Sequence, residues 1–328
     1  MFRLITFAAL LFGLSSPARA SDPAQIVEHH ILPGYQTLVA ASENLAGSGC
    51  DPENVALTKA FHRAFDAWVM VSHIRFGPSE TNDRAFSLAF WPDGRGATPK
   101  TLLGLLSSGD PVVETPESFA TVSIAGRGFY ALEFLLFDPK VSQSGTPDDR
   151  CALIRAVTLD IALNAGAILS DWQGSYAELL RSAGQNETYR SRDEALRQLL
   201  TALSTGLEFT AETRLGRPMG RFDKPRPARA EARRAGRSLR HVVLSLTAMR
   251  DLAALLSDQD ADLDAAFARA IARAETLDDP VFAGIATPQG RVSVEALQQA
   301  IRDIKTRVDQ DLGPKLGVAA GFNSLDGD

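Results

Sequence analysis

Apolar residues recur at steps of three and four over most of the chain. Leu57, Phe61, Phe65, Trp68 and Val71 form one such stripe, and Leu153, Val157, Ile161, Ile168, Trp172, Tyr176 and Leu179 form a longer one. The pattern returns in Leu196, Leu199, Leu203 and Leu207, in Leu239, Val242, Leu246, Met249 and Leu256, and in Leu297, Ile301, Ile304, Val308 and Leu312. With polar residues on the opposite face, these stripes predict amphipathic helices packed through one side. The segment 26–45 reads as helical too, with Pro33 giving a kink or a late start, because proline lacks an N–H and crowds the preceding turn. Alternating β-branched runs bounded by tight turns are missing, so the expected fold class is all-α.

Breaks rich in Gly and Pro fall at 76–100, 138–149, 214–228 and 278–292. They separate two groups of helices. The expected architecture is two four-helix-bundle-like domains, 21–185 and 186–328, around a shared cleft.

Composition narrows the class. At 328 residues, 45% hydrophobic and 23% charged, the chain is of ordinary globular composition, which excludes disorder and a small disulfide scaffold. A net charge of −6 argues against nucleic acid as the main partner. Residues 1–20 place Arg3 before an apolar run, Leu4 to Leu14, and end in Ala18-Arg19-Ala20, the pattern of a secretory signal cleaved after Ala20. The run is short for a bilayer span, and no later segment reads as one. A soluble, exported, periplasmic or envelope protein is expected. Its two cysteines, Cys50 and Cys151, are then expected to form a disulfide. Two buried thiols or half of a metal site are the alternatives, although no Cys-x-x-Cys spacing supports zinc.

The stretch from Gly128 to Phe137 is apolar on nearly every side, yet it carries one carboxylate, Glu133, three residues after Tyr130 and on the same helical face. A buried carboxylate is costly unless it is paired, hydrogen-bonded or bound to a cation. Arg127 or another arginine would make a structural pair; a bound cation would make a site.

Here the sequence resembles the imelysin-like family of bacterial envelope proteins, whose Gly-x-His-x-x-Glu motif aligns with Gly128, Tyr130 and Glu133. Arg75-Phe76-Gly77-Pro78, Asn82, Trp91-Pro92-Asp93, Arg237-Ser238-Leu239 and the ending Leu316 to Asn323 extend the resemblance over nearly the whole mature chain. It implies an all-helical protein of two bundles with the motif facing the cleft. Members are associated with iron uptake, and some have been described as metallopeptidases. The resemblance therefore implies a ligand site of Arg75, Gly128, Tyr130, Glu133, Arg237 and Ser238. Within it, Glu133 and Tyr130 would be ligands to iron or another divalent or trivalent metal. The implied partners are a metal ion or an anionic metal chelate and envelope iron-uptake proteins.

The family histidine is Tyr130 here. Neutral imidazole is a strong transition-metal ligand, whereas a phenol must first lose its proton; tyrosinate does suit Fe(III). Zinc peptidase chemistry needs three protein ligands and an activated water, and no His-Glu-x-x-His motif is present, so a non-enzymatic binding role is expected. An interaction or scaffold module with a degenerate site is the alternative. Of the five histidines, His73 stands out, because it adjoins the Arg75 turn.

Between Arg214 and Arg240 lie ten Lys and Arg residues against Asp223 and Glu231 alone. Such a run attracts anions, such as the carboxylates of a ferric chelate, or it forms a solvated loop and helix face. It lacks the interleaved aromatics of a nucleic-acid site.

Overall fold

The computed structural model describes residues 21–319, so the expected signal segment and the end of the Leu316 to Asn323 match lie outside the described residues. Nine longer helices, α1–α9, make up the fold among the described residues, which contain no strand beyond one isolated bridge, Arg221 with Lys224. Helix α1 starts on Pro23, with Asp22 accepting from the Ala24 amide, and runs to Ala46. A π turn at Val27–Ile31 carries it past Pro33. The wider turn takes up the missing N–H and the bulk of the ring, so Pro33 gives a distortion rather than a late start.

Helix α2 (Val55–Val71) is capped by Asn54 and buries Leu57, Phe61, Phe65 and Trp68, the expected stripe. Helix α3 (Ala97–Ser108) begins within the break expected at 76–100 and runs beyond it; Leu102 and Leu106 are its buried leucines, too few to announce a stripe. The break itself holds a short helix, Arg84–Leu88. Helix α4 (Gly128–Phe137) is buried along most of its length. Helix α5 is continuous over Pro147–Arg181 and opens with a capping box, Thr146 with Asp149. By length and composition α5 is apolar enough to cross a membrane, which the sequence pattern did not suggest, but it packs against α1 and α4 as a core helix.

The second group comprises α6 (Arg192–Glu208), α7 (Ser238–Leu256), α8 (Ala261–Glu275) and α9 (Pro288–Arg307). Helix α6 ends in a π turn, Phe209–Leu215. Within the group α7 packs on α6 and α8, and α9 packs on α6 and α8. Helices α2 and α7 join the two groups. Cys50 and Cys151 are disulfide-bonded, with Cα atoms 4.8 Å apart, tying the loop after α1 to the first turns of α5.

Candidate functional site

Tyr130 leaves α4 toward the second helical group. Its hydroxyl donates to Glu231 Oε1 at 2.5 Å, and Arg214 Nε donates to Glu231 Oε2 at 2.7 Å. All three side chains are buried. His241 Nδ1 lies 3.3 Å from Oε2, without the alignment of a hydrogen bond. Burial opposes ionisation of Glu231, but Arg214, then His241 and Tyr130, outweigh it and hold this carboxyl well below its ordinary range. Tyr130 moves the other way. Burial, and then the Glu231 charge, push the phenol well above its ordinary value, so it keeps its proton at neutral pH. The aromatic frame is tight: Phe65 meets Tyr130 edge-on and Trp91 stacks on it.

These groups form one wall of a cavity of about 350 Å³ between the two helical groups. Trp68, Phe86, Trp91 and Phe209 supply apolar surface, and Arg75, Arg214 and Arg217 supply guanidinium groups. Arg75 is held by both oxygens of Glu80 and lies over the Phe86 ring. Glu212, also on the wall, is taken by both arms of Arg302. Arg217 is different. Among the described residues it has no carboxylate within ion-pair distance, and its buried Nε has no hydrogen-bond partner.

The floor carries His73, whose Nε2 lies 2.9 Å from His30 Nε2. Burial lowers the His30 pKa to about 4, and burial, His30 and Arg214 hold His73 well below its usual value. Both rings are thus neutral near pH 7, and one Nε2–H donates to the other's lone pair. The buried His73 Nδ1 and Ser245 Oγ line the cavity without partners among the described residues. They are hydrogen-bonding atoms open to a ligand or water.

Of the residues singled out in the sequence, Arg75 and Tyr130 line this cavity, while Gly128, Glu133, Arg237 and Ser238 are not among its lining residues. Gly128 has φ +72°, and a Cβ there would stand 2.3 Å from the carbonyl oxygens of Ser87 and Leu88. The backbone can approach only because it is glycine. Glu133 accepts the Ala235 amide at 3.1 Å, and burial raises its pKa to about 7 against the nearby Arg234 and Arg233. Arg127, one candidate partner for Glu133, instead binds Asp160 through two hydrogen bonds. Ser238 donates to the Glu231 carbonyl at 2.5 Å, and Arg237 pairs with Asp66 on α2. Ser238 thus braces the backbone of Glu231 itself, and Glu133 braces the chain four residues further on, at Ala235.

The sequence reading placed Glu231, Arg214 and Arg217 within an anion-attracting arginine run but did not single them out as site residues. One signal was present, namely a lone glutamate inside an arginine run. Among the described residues no three His, Cys, Asp or Glu side chains converge as a metal site. A bare cation at Tyr130 would have to strip its proton and break the Glu231–Arg214 pair, so these residues do not fit one.

The geometry is that of an all-α protein with a cavity between two helical groups. The imelysin family profile matches residues 31–308, and the chain belongs to this family. "Iron-regulated protein A" of Synechococcus elongatus is 23% identical over 321 residues, covering 88% of this chain and 84% of that protein. An imelysin-like protein from Psychrobacter arcticum 273-4 has a similar structure, with a TM-score of 0.73 at 18% identity over 92% of this chain and 96% of that one. A putative iron-regulated protein A precursor from Parabacteroides distasonis gives a TM-score of 0.69 at 14% identity, covering 87% and 92%.

Proposed function

We propose that this protein serves iron acquisition at the bacterial cell envelope by holding an anionic, iron-bearing ligand in the cavity between two helical bundles, α1–α5 and α6–α9. The iron would be coordinated by the ligand's own donors. One observation carries this reading: the cavity presents an unpaired guanidinium, Arg217, while its one buried carboxylate, Glu231, is neutralised by Arg214. Such a wall attracts an anion and repels a bare cation. The names of the relatives from Synechococcus and Parabacteroides supply the iron setting, and the signal-like residues 1–20 supply export.

In this reading Arg75 and Tyr130 face the ligand. Glu133, Arg237 and Ser238 hold the Glu231 segment in place, Gly128 lets α4 approach the Ser87 and Leu88 carbonyls, and envelope iron-uptake proteins would deliver or receive the cargo. The test is a titration of the mature protein with ferric citrate and with Fe(III) alone, read by calorimetry and by the emission of Trp68 and Trp91. The expected outcome is quenching by the complex and no response to the ion at this site. Binding of Fe(III) alone that is lost in Glu133→Ala would restore the ligand role that the motif implies. No response to either form would sink the proposal.

A second reading, an interaction module with a degenerate metal site, draws on the closed Tyr130–Glu231 contact. It expects no iron in protein isolated from its native envelope, in either free or chelated form.

A further inference from the structure

Arg217 also lines a second depression, of about 470 Å³, which shares Glu212 and Arg217 with the cavity. There it meets Arg229, which likewise has no carboxylate within ion-pair distance among the described residues. Every other charged group of that groove is neutralised locally. Arg302 forks onto Glu212, and Arg291 binds Glu295 as well as the carbonyls of Met219 and Arg221. Two like charges are left side by side; burial, and then the Arg229 charge, lower the Arg217 pKa. The two acids that line the groove, Glu212 and Glu295, are taken by Arg302 and Arg291, and among the described residues none is within ion-pair distance of Arg217 or Arg229. The buried Arg217 Nε has its N–H unused, although guanidinium forks bind carboxylate and phosphate oxygens in pairs.

We propose that Arg217 and Arg229 form an oxyanion subsite at the rim of the cavity, which clamps a carboxylate or phosphate group of the ligand between them. Because Arg217 stands on the wall common to the groove and the cavity, one bound molecule spans both. Its acidic end sits between the two guanidinium groups, and its body lies against Trp91, over whose ring Arg217 is placed. This deepens the reading above by naming the group through which the cargo is held, and it rests on that reading only for the iron.

The experiment uses the mature protein and three probes, metal-free citrate, inorganic phosphate and ferric citrate, titrated calorimetrically into wild type, Arg217→Gln, Arg217→Lys and Arg229→Gln. Arg229 is exposed, so its substitution leaves the fold intact even if an Arg217 change were disruptive. The expected result is that metal-free citrate binds wild type and that each Gln variant weakens it about tenfold, with Lys at position 217 recovering part of the loss. Binding should also fall as salt rises. A preference for phosphate over citrate assigns the subsite to a phosphorylated ligand, and the reverse assigns it to a carboxylate. Equal affinity of wild type and both Gln variants for all probes overturns the subsite while leaving iron cargo intact. Arginine-dependent citrate binding without any ferric citrate binding keeps the subsite and overturns the iron reading. Failure of wild type to bind any of the three overturns both.

Discussion

Tyr130 and Glu133 sit one helical turn apart, yet their polar atoms meet different neighbours. The phenol is one of three groups on Glu231, so Tyr130→Phe leaves Arg214 in place and removes a single hydrogen bond. A loss of about 1 to 2 kcal/mol in urea unfolding is expected, since the acceptor is charged and buried. The Glu133 carboxyl titrates differently. Its pKa rises from 4.5 to about 7 in the folded chain, so the native state keeps a proton that the unfolded chain releases. The stability it contributes is complete below about pH 4.5 and is lost as pH rises through about 7. Glu133→Gln imitates the protonated form. Its stability relative to wild type should therefore climb by about 3 kcal/mol between pH 4.5 and 8, measured as paired denaturation curves. A constant difference across that range would show that Glu133 does not titrate in this way. The sequence revealed that Glu133 is an acid in an apolar helix. It could not reveal that the answering group is a backbone amide, that of Ala235, because an amide leaves no mark in composition.

Helices α2, α5, α6, α7 and α9 were legible because each buries a stripe of large apolar side chains at helical spacing. Helix α3 was not, since it buries two leucines and a threonine and leans on its neighbours for the rest. Two local features give element-scale expectations. Gly128→Ala drives a methyl into the Ser87 and Leu88 carbonyls at the start of α4, and should destabilise the protein by about 3 kcal/mol or more, read as a lowered melting temperature. The Cys50–Cys151 bond closes a loop with a sequence separation of 101, so reduction with the fold otherwise intact should cost about 5 kcal/mol by the loop-entropy estimate. A paired Cys50→Ser, Cys151→Ser variant with an unchanged unfolding midpoint would contradict this.

Across the whole molecule, the two helical groups are joined by polar contacts, from buried to exposed, as well as by apolar packing. Asp66 on α2 takes Arg237 and Arg240, Asp138 after α4 takes Arg234, and Tyr130 takes Glu231. These pairings explain why the arginine run deceived as a pattern. Arg234 and Arg237 are structural partners of acids far along the chain and Arg214 of Glu231 within the run, whereas Arg217 and Arg229 have no carboxylate partner among the described residues, and nothing in their local sequence distinguishes the two kinds. Acidification gives a test at this scale. Glu231 is held below its unfolded pKa of 4.5, so its contribution is present above that value and is lost as pH falls below it. Arg214→Gln should shift the acid-unfolding midpoint upward, followed by near-ultraviolet circular dichroism.

The contact between Tyr130 and Glu231 spans 101 residues, and that separation has a consequence for the order in which the protein comes into being. A ribosome that has finished α5 has already delivered the phenol, the tryptophans and Arg75, but the carboxylate and the guanidinium groups that complete the wall are not yet translated. The polypeptide therefore completes this cavity late, and no growing chain shorter than about two-thirds of the final length holds the whole wall.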